Sequence, residues 1–331
     1  MKIVFFGSKA SSVEFLRCLI KDEEVAAVVT HPDRYSGRGL LLKPSVVKVF
    51  ANDRNVGVLL PEKMSGEFVE MLKGYSAELG VVVAYGKIIP ETIIKVFPRG
   101  IINVHFSLLP EYRGANPIQH ALIDGRTKTG VTSFFIDKGM DTGGVILQRE
   151  ILVDPDDDSR TLEEKLVPVG VGLLQETLRL IKDGNDTAQP QKGNESYAGI
   201  LKKSDGKINW SRPAREVHNL IRGTQPWPGT FTEIKGSASK SKTVFLKILR
   251  SRVLSECPGD GITCPAPSLV KTRPLDGCPG EITGIEKGQG FVVRCGNDFL
   301  LALRVKADGR QDMSAWDYWQ GAHLNIGDKF E

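Results

Sequence analysis

The sequence predicts an α/β protein: a doubly wound, mostly parallel sheet in the first half, then a smaller all-β domain. Short Val- and Ile-rich runs alternate with segments of helical period over residues 2–182, the pattern of repeated βαβ units. Residues 183–197 are rich in Gly, Asn, Gln and Pro, as a connecting segment is. Beyond them come several short β-type runs separated by turn residues. A length of 331 residues suits two domains better than one core. The expected division is residues 1–189, a linker over 190–205, and a second domain over 206–331.

In chain order, residues 2–7 form an apolar strand. The small-residue turn Ser8-Lys9-Ala10-Ser11-Ser12 leads into a helix with Val13, Phe15, Leu16, Leu19 and Ile20 at helical spacing. That turn lacks the three-glycine dinucleotide fingerprint, which argues against a nicotinamide cofactor. Residues 25–30 make a second strand and run into a loop, 31–39, holding Pro32, Arg34, Gly37, Arg38 and Gly39. A helix over 43–50, a short strand over 56–60 and an amphipathic helix over 62–73 follow. Residues 79–84 are nearly all apolar, as expected of a parallel strand covered on both faces. Strands over 101–105, 130–136 and 145–153, a helix near 117–123 and a long helix over 161–182 complete the first domain. In the second, a helix near 214–223 precedes strands over 230–234, 243–253, 280–286, 290–295 and 299–305. These suggest a small barrel or sandwich. The Pro-, Gly- and Cys-rich residues 255–279 read as a surface insertion.

Composition narrows the class. With 40% hydrophobic and 25% charged residues the chain reads as globular, without a membrane-spanning run or a leader pattern at its start, so a cytoplasmic location is expected. Five cysteines without close pairs indicate neither a disulfide framework nor a zinc ribbon, and no metal is expected. Residues 1–189 hold 23 Lys and Arg against 25 Asp and Glu, whereas residues 190–331 hold 21 against 15. A basic second half points to a polyanionic partner, although scattered surface lysines give the same sum.

The chemistry concentrates at two places. In the strand 101–105, Asn103 and His105 sit two residues apart and share a face, opposite Ile102, Val104 and Phe106. An amide donor beside an imidazole at a strand's carboxyl end suits oxyanion stabilisation and proton movement. A capped strand end with a satisfied histidine has the same pattern. The loop Gly139-Met140-Asp141-Thr142-Gly143-Gly144 sets one carboxylate between glycine corners, either as a turn-forming aspartate or as a partner that orients His105 and favours its protonated form. An Asn/His/Asp set suits acyl transfer to an amine.

Two motifs in this order, Asn103-Val104-His105-Phe106-Ser107-Leu108-Leu109-Pro110 with Arg113-Gly114, and Asp141-Thr142-Gly143, resemble the signature of the 10-formyltetrahydrofolate-dependent formyltransferases. The resemblance extends to Val81-Val82-Val83-Ala84-Tyr85-Gly86, to Ile208-Asn209-Trp210 and to Pro226-Trp227-Pro228. It implies a Rossmann-like catalytic domain joined to an OB-like β-barrel, with Asn103, His105 and Asp141 as the catalytic set. It also implies folate contacts by Ser107, Leu108, Leu109 and Pro110, by Val82, Val83, Ala84, Tyr85 and Gly86, and by Met140. The co-substrate is then 10-formyltetrahydrofolate. The 32–45 loop resembles the insertion with which the tRNA-directed members grip initiator methionyl-tRNA, making Arg34, Arg38 and Lys43 tRNA contacts, with Lys203 and Arg222 in the second domain. Leu40 and Leu41 depart from that pattern, where basic residues are usual. A monomer is implied. The rival members are sugar-nucleotide N-formyltransferases, whose acceptor is an amino sugar, and enzymes that hydrolyse 10-formyltetrahydrofolate.

Overall fold

The structure, a computed structural model, describes residues 1–36, 41–235, 243–254, 269–272, 277–322 and 324–331. In chain order the elements are β1 (Lys2–Gly7), α1 (Ser11–Asp22), β2 (Glu24–Val29), β3 (Arg34–Ser36), β4 (Leu41–Lys43), α2 (Val46–Asn52), β5 (Val58–Leu59), α3 (Gly66–Gly74), β6 (Leu79–Val83), α4 (Glu91–Ile94) and β7 (Ile101–His105). Then come β8 (Arg113–Gly114), α5 (Pro117–Ile123), β9 (Lys128–Phe135), β10 (Val145–Leu152), α6 (Ser159–Lys182) and β11 (Tyr197–Ala198). The remainder is α7 (Ala214–Thr224), β12 (Thr230–Lys235), β13 (Thr243–Leu254), β14 (Leu269–Thr272), β15 (Ile282–Glu286), β16 (Gly290–Arg294), β17 (Phe299–Ala307), β18 (Met313–Ser314) and α8 (Ala315–Ala322).

The chain forms two compact units. The first comprises Met1–Pro117, Lys128–Val153 and Thr161–Ile200; the second comprises Ile118–Thr127, Asp154–Arg160 and Leu201–Glu331. The first unit is built on a seven-stranded sheet of order β10-β9-β7-β6-β1-β2-β5. All of its strands run in one direction except β9, which is antiparallel to both of its neighbours β7 and β10, so the mostly parallel doubly wound sheet is present as the βαβ pattern predicts. All five residues of β6 are buried, which explains its unbroken apolar sequence, since each fully buried Val or Leu contributes roughly 1.5–3 kcal/mol. The chain winds outward from β1 to β2 and β5, then returns to β6 on the other side. Such a reversal opens a crevice at the carboxyl ends of the strands.

The second unit is an antiparallel sheet, β12-β13-β17-β16-β15-β14, with β18 paired to β17. The carboxyl-terminal residues close it: Phe330 bridges Ile234 on β12, and Lys329 bridges Glu281 just before β15. Trp210, Phe291 and Phe330 stack through the core, and the Trp210 indole donates to the Thr232 hydroxyl at 2.9 Å.

Several details depart from the sequence reading. The segment that reads as a plain loop after the second strand carries a hairpin, β3 against β4, in which Tyr35 pairs with Leu42 and Arg34 with Lys43. Residues 37–40, with Arg38, lie outside the described residues. Part of the expected insertion is the strand β14, paired to β15, so the 255–279 segment contributes to the sheet; residues 255–268 and 273–276 lie outside the described residues. The helix α8 is not evident from its sequence, Ala-Trp-Asp-Tyr-Trp-Gln-Gly-Ala, because two tryptophans and a glycine give weak helical signals. Cys18, Cys278 and Cys295 are free thiols, while Cys257 and Cys264 lie outside the described residues.

Candidate active site

Strand β7 carries Asn103 and His105 to the carboxyl edge of the first sheet, between two unlike neighbours. On one side it runs parallel to β6, with Val82 beside Asn103; on the other it runs antiparallel to β9, with Asn103 beside Phe134 and His105 beside Thr132. The predicted pair therefore shares a face at the strand end. His105 is buried at 6% exposure, its ring edge-on to Phe134 at 6.5 Å. Its Nε2 lies 2.9 Å from the Tyr112 carbonyl, which can only accept, so this nitrogen carries a proton. The other ring nitrogen, Nδ1, faces Asp141 Oδ2 at 3.6 Å. Asp141 is drawn to that position by the Gly114 N–H, which donates to Oδ2 at 2.8 Å. The half-buried Asn103 amide makes no hydrogen bond among the described residues, leaving two donors unused at the strand end.

Two glycines permit this approach. Gly114 has φ +115°, and a Cβ there would meet the Ala198 carbonyl oxygen at 2.7 Å. At Gly143 a Cβ would fall 1.7 Å from the Phe135 carbonyl oxygen, so only glycine lets the Asp141 loop lie against the end of β9. Three non-glycine residues around the site also occupy the left-handed region: Ala84 (φ 46°), Tyr112 (φ 58°) and Asp141 itself (φ 54°). Each costs on the order of 1 kcal/mol, and such residues gather where a structure holds reactive groups in place.

The Ser107-Leu108-Leu109-Pro110 turn is fixed by a hub at Thr132. That hydroxyl donates to the Ser107 carbonyl at 2.6 Å and accepts from the Leu109 N–H at 3.2 Å and from Gln148 Nε2 at 2.9 Å; the Gln148 amide also donates to the Leu109 carbonyl at 2.8 Å. Ser107 is fully buried, and its hydroxyl donates to the Glu111 carbonyl at 2.6 Å. Beside β7, the chain leaves β6 at Val83 and turns through Ala84, Tyr85 and Gly86, which sets this segment next to Asn103. Tyr85 is almost fully buried, its hydroxyl has no partner among the described residues, and burial pushes its pKa up to about 12. His31 packs on it at 5.3 Å between ring centroids, and burial, with Arg34 and Lys87 nearby, holds the His31 pKa down. Met140, half exposed, borders Asp141.

The proposed nucleic-acid contacts divide. Arg34 and Lys43 face each other across the β3–β4 hairpin, both exposed. Lys203 is exposed on a 3₁₀ turn. Arg222 is half-buried, and its guanidinium donates to Asn219 Oδ1 at 3.0 Å and to the Asp154 and Asp157 carbonyls at 3.3 and 3.4 Å; burial lowers its pKa. It braces the 154–157 turn of the second unit. Sequence reasoning missed Thr132, Gln148 and Gln191. None lies in a motif, and Gln191 lies in a segment whose composition reads as a linker.

Residues 1–178 match the family model for formyl transferase, and residues 200–323 match the model for the formyl transferase C-terminal domain. The chain belongs to the formyl transferase family. Among its relatives, the methionyl-tRNA formyltransferase of Endomicrobium trichonymphae is 37% identical over 330 residues, covering 100% of both chains. That of Heliobacterium modesticaldum is 39% identical over 332 residues, again covering 100% of both. The fold is shared with WlaRD, a sugar 3N-formyl transferase crystallised with dTDP and 5-N-formyl-THF, at TM-score 0.64 and 20% identity over 94% of this chain and 99% of that one. It is shared too with HypX from Aquifex aeolicus, at TM-score 0.61 and 13% identity over 98% of this chain and 48% of that one. This formyl transferase thus matches the methionyl-tRNA enzymes from end to end, while its likeness to WlaRD and HypX is one of fold.

Proposed function

We infer that this formyl transferase moves the formyl group of 10-formyltetrahydrofolate to the free α-amine of methionyl-tRNA. The observation that carries the reading is the strand end where an unbonded Asn103 amide, the His105 ring and the Asp141 carboxylate converge, in a chain matched over its full length by methionyl-tRNA formyltransferases. In the proposed reaction the amine nitrogen attacks the formyl carbon and forms the new C–N bond, while the carbonyl electrons move onto oxygen. Asn103 donates to that oxyanion, and protonated His105 adds positive charge beside it. The Tyr112 carbonyl and Asp141 hold the imidazolium from either side. Asp141 removes the amine proton through a water, the C–N10 bond breaks, and N10 takes up a proton. The turn at Val82, Val83, Ala84, Tyr85 and Gly86, with Ser107, Leu108, Leu109, Pro110 and Met140, forms the folate side of this site.

The second unit supplies support for a tRNA acceptor. Strand pairing places Lys207, Phe231, Lys247 and Lys306 in one row across the sheet, and the three lysines are exposed. Phe245 and Trp227, 47% and 57% exposed, add aromatic surface to the same unit. Lys247 directly opposite Lys306 is unfavourable in the free protein, and a phosphate backbone reverses that cost. With Arg34, Arg38, Lys43 and Lys203 these are the proposed tRNA contacts of a cytoplasmic monomer. The deciding experiment incubates the protein with 10-formyltetrahydrofolate and either methionyl-tRNA or an amino-sugar nucleotide. Formyl-methionyl-tRNA is the expected product; formylation of the sugar alone overturns the reading.

A further inference from the structure

We propose that Gln191 is a positioning residue of the formyl-transfer site: its carboxamide fixes the backbone of the Asp141 loop and so sets the Asp141 carboxylate against the His105 ring. The side chain is saturated. Its Nε2 donates to the Asp141 carbonyl at 2.8 Å and to the Gly143 carbonyl at 2.9 Å, and its Oε1 accepts from Arg113 Nη2 at 2.8 Å and Nε at 3.2 Å. Arg113 is itself buried at 8% exposure and pairs with Glu195.

The backbone on either side of Gln191 is tied to the same two catalytic loops. Gln189 and Val145 exchange both N–H···O bonds at 2.8 Å, just after the Asp141 loop. Further on, the Ser196 hydroxyl accepts from the Tyr112 N–H at 2.9 Å, the Ser196 carbonyl from the Arg113 N–H at 2.9 Å, and the Ala198 carbonyl from the Ala115 N–H at 2.9 Å. Tyr112 supplies the carbonyl that holds His105 Nε2, and Gly114 supplies the N–H that holds Asp141 Oδ2. Residues 189–198 therefore form a brace joining the His105 side of the site to the Asp141 side, and Gln191 is the side chain that crosses it. Only a carboxamide of this length provides two donors toward carbonyls and an acceptor toward a guanidinium. Asp141 needs such a restraint because its φ of 54° is disfavoured when the loop is free.

The inference rests on the formyl-transfer reading of Asn103, His105 and Asp141. It is tested with Gln191→Glu, which keeps the shape and the Arg113 pairing but turns an oxygen toward the two carbonyls, and with Gln191→Asn, which is too short to reach them. In both, kcat for methionyl-tRNA formylation is expected to fall about tenfold to a hundredfold, with KM for each substrate within about threefold, as for a reacting group displaced by about an ångström. Ring ¹⁵N spectra of histidine-labelled protein without substrates supply a second readout. Of five histidines, His105 is assigned by its loss in His105→Gln, and its Nδ1 resonance is expected to move in both Gln191 variants as it does in Asp141→Asn. A folded variant with kcat within threefold of the parent, a loss confined to KM, or an unmoved His105 resonance overturns the proposal. If the parent protein does not formylate methionyl-tRNA, the functional reading fails while the histidine spectra still decide the positioning role.

Discussion

Replacing Asp141 by asparagine tests the centre of the mechanism without changing its shape. The new side chain would still present an oxygen to the Gly114 N–H, which now donates to Asp141 Oδ2 at 2.8 Å, so the loop keeps its anchor and loses only the charge. Asp141 Oδ2 lies 3.6 Å from His105 Nδ1, and the two side chains are 16% and 7% exposed. Opposite unit charges about 4 Å apart interact by roughly 4 kcal/mol at an effective dielectric constant of about 20. Solvent at the partly open carboxylate reduces this, and about 2–4 kcal/mol of the imidazolium's stabilisation is expected to disappear. At about 1.4 kcal/mol per decade, that corresponds to a fall in kcat of roughly thirtyfold to a thousandfold. Single-turnover formylation with saturating formyl donor measures it, with thermal unfolding as a check on the fold. A folded Asp141→Asn variant that turns over within threefold of the parent would refute an electrostatic role for this carboxylate.

Three other perturbations probe separate links. Changing Lys207, Lys247 and Lys306 together to Gln should flatten the dependence of log K for tRNA on log salt by roughly two to three units, near one for each phosphate no longer neutralised, and an unchanged slope removes the row from the interface. Tyr85→Phe deletes a buried hydroxyl without a protein partner among the described residues, so the free protein should be equally stable or more stable by up to about 1 kcal/mol; a clear fall in the melting temperature would show that the hydroxyl has a partner. His218 is held neutral by burial, with its Nδ1 3.0 Å from the Ser251 hydroxyl, and its pKa lies below the ordinary 6.5. An imidazole whose pKa is lowered by folding takes up its proton more readily in the unfolded chain, so its contribution is fully present above pH 6.5 and is lost as pH falls from there toward the folded-state value. His218→Gln should therefore lose less stability than the parent between about pH 7.5 and about 5.5 in thermal melts, and parallel curves would contradict this.

Strong local signals make much of the fold legible in the sequence. The unbroken apolar run of β6 and the strand–helix alternation before it follow from burial on both faces, and the i, i+2 spacing of Asn103 and His105 places them on one face. The hairpin β3–β4 is not legible, because three-residue strands with exposed Tyr35, Leu41 and Leu42 have no buried face to impose a period. Arg222 reads as a surface cation in sequence and is instead committed to backbone carbonyls, a choice made by tertiary packing that leaves no trace in spacing.

The segment after α6 exposes a deeper limit of composition as a guide. Gly, Asn, Gln and Pro are used in linkers because they tolerate solvent and irregular backbone, but a segment that threads between two catalytic loops needs the same residues for another reason. It has little sheet and no helix of its own to satisfy its polar groups, so its side chains must bond across to carbonyls and amides of the loops it crosses, as Gln191 and Ser196 do. The difference lies in where the hydrogen bonds go, and a sequence does not record that. What distinguishes the two cases physically is the strain at the other end of those bonds. Asp141 and Tyr112 both occupy left-handed backbone, and both are held by this segment. A flexible tether would let them relax; a brace keeps the carboxylate and the carbonyl on opposite nitrogens of His105.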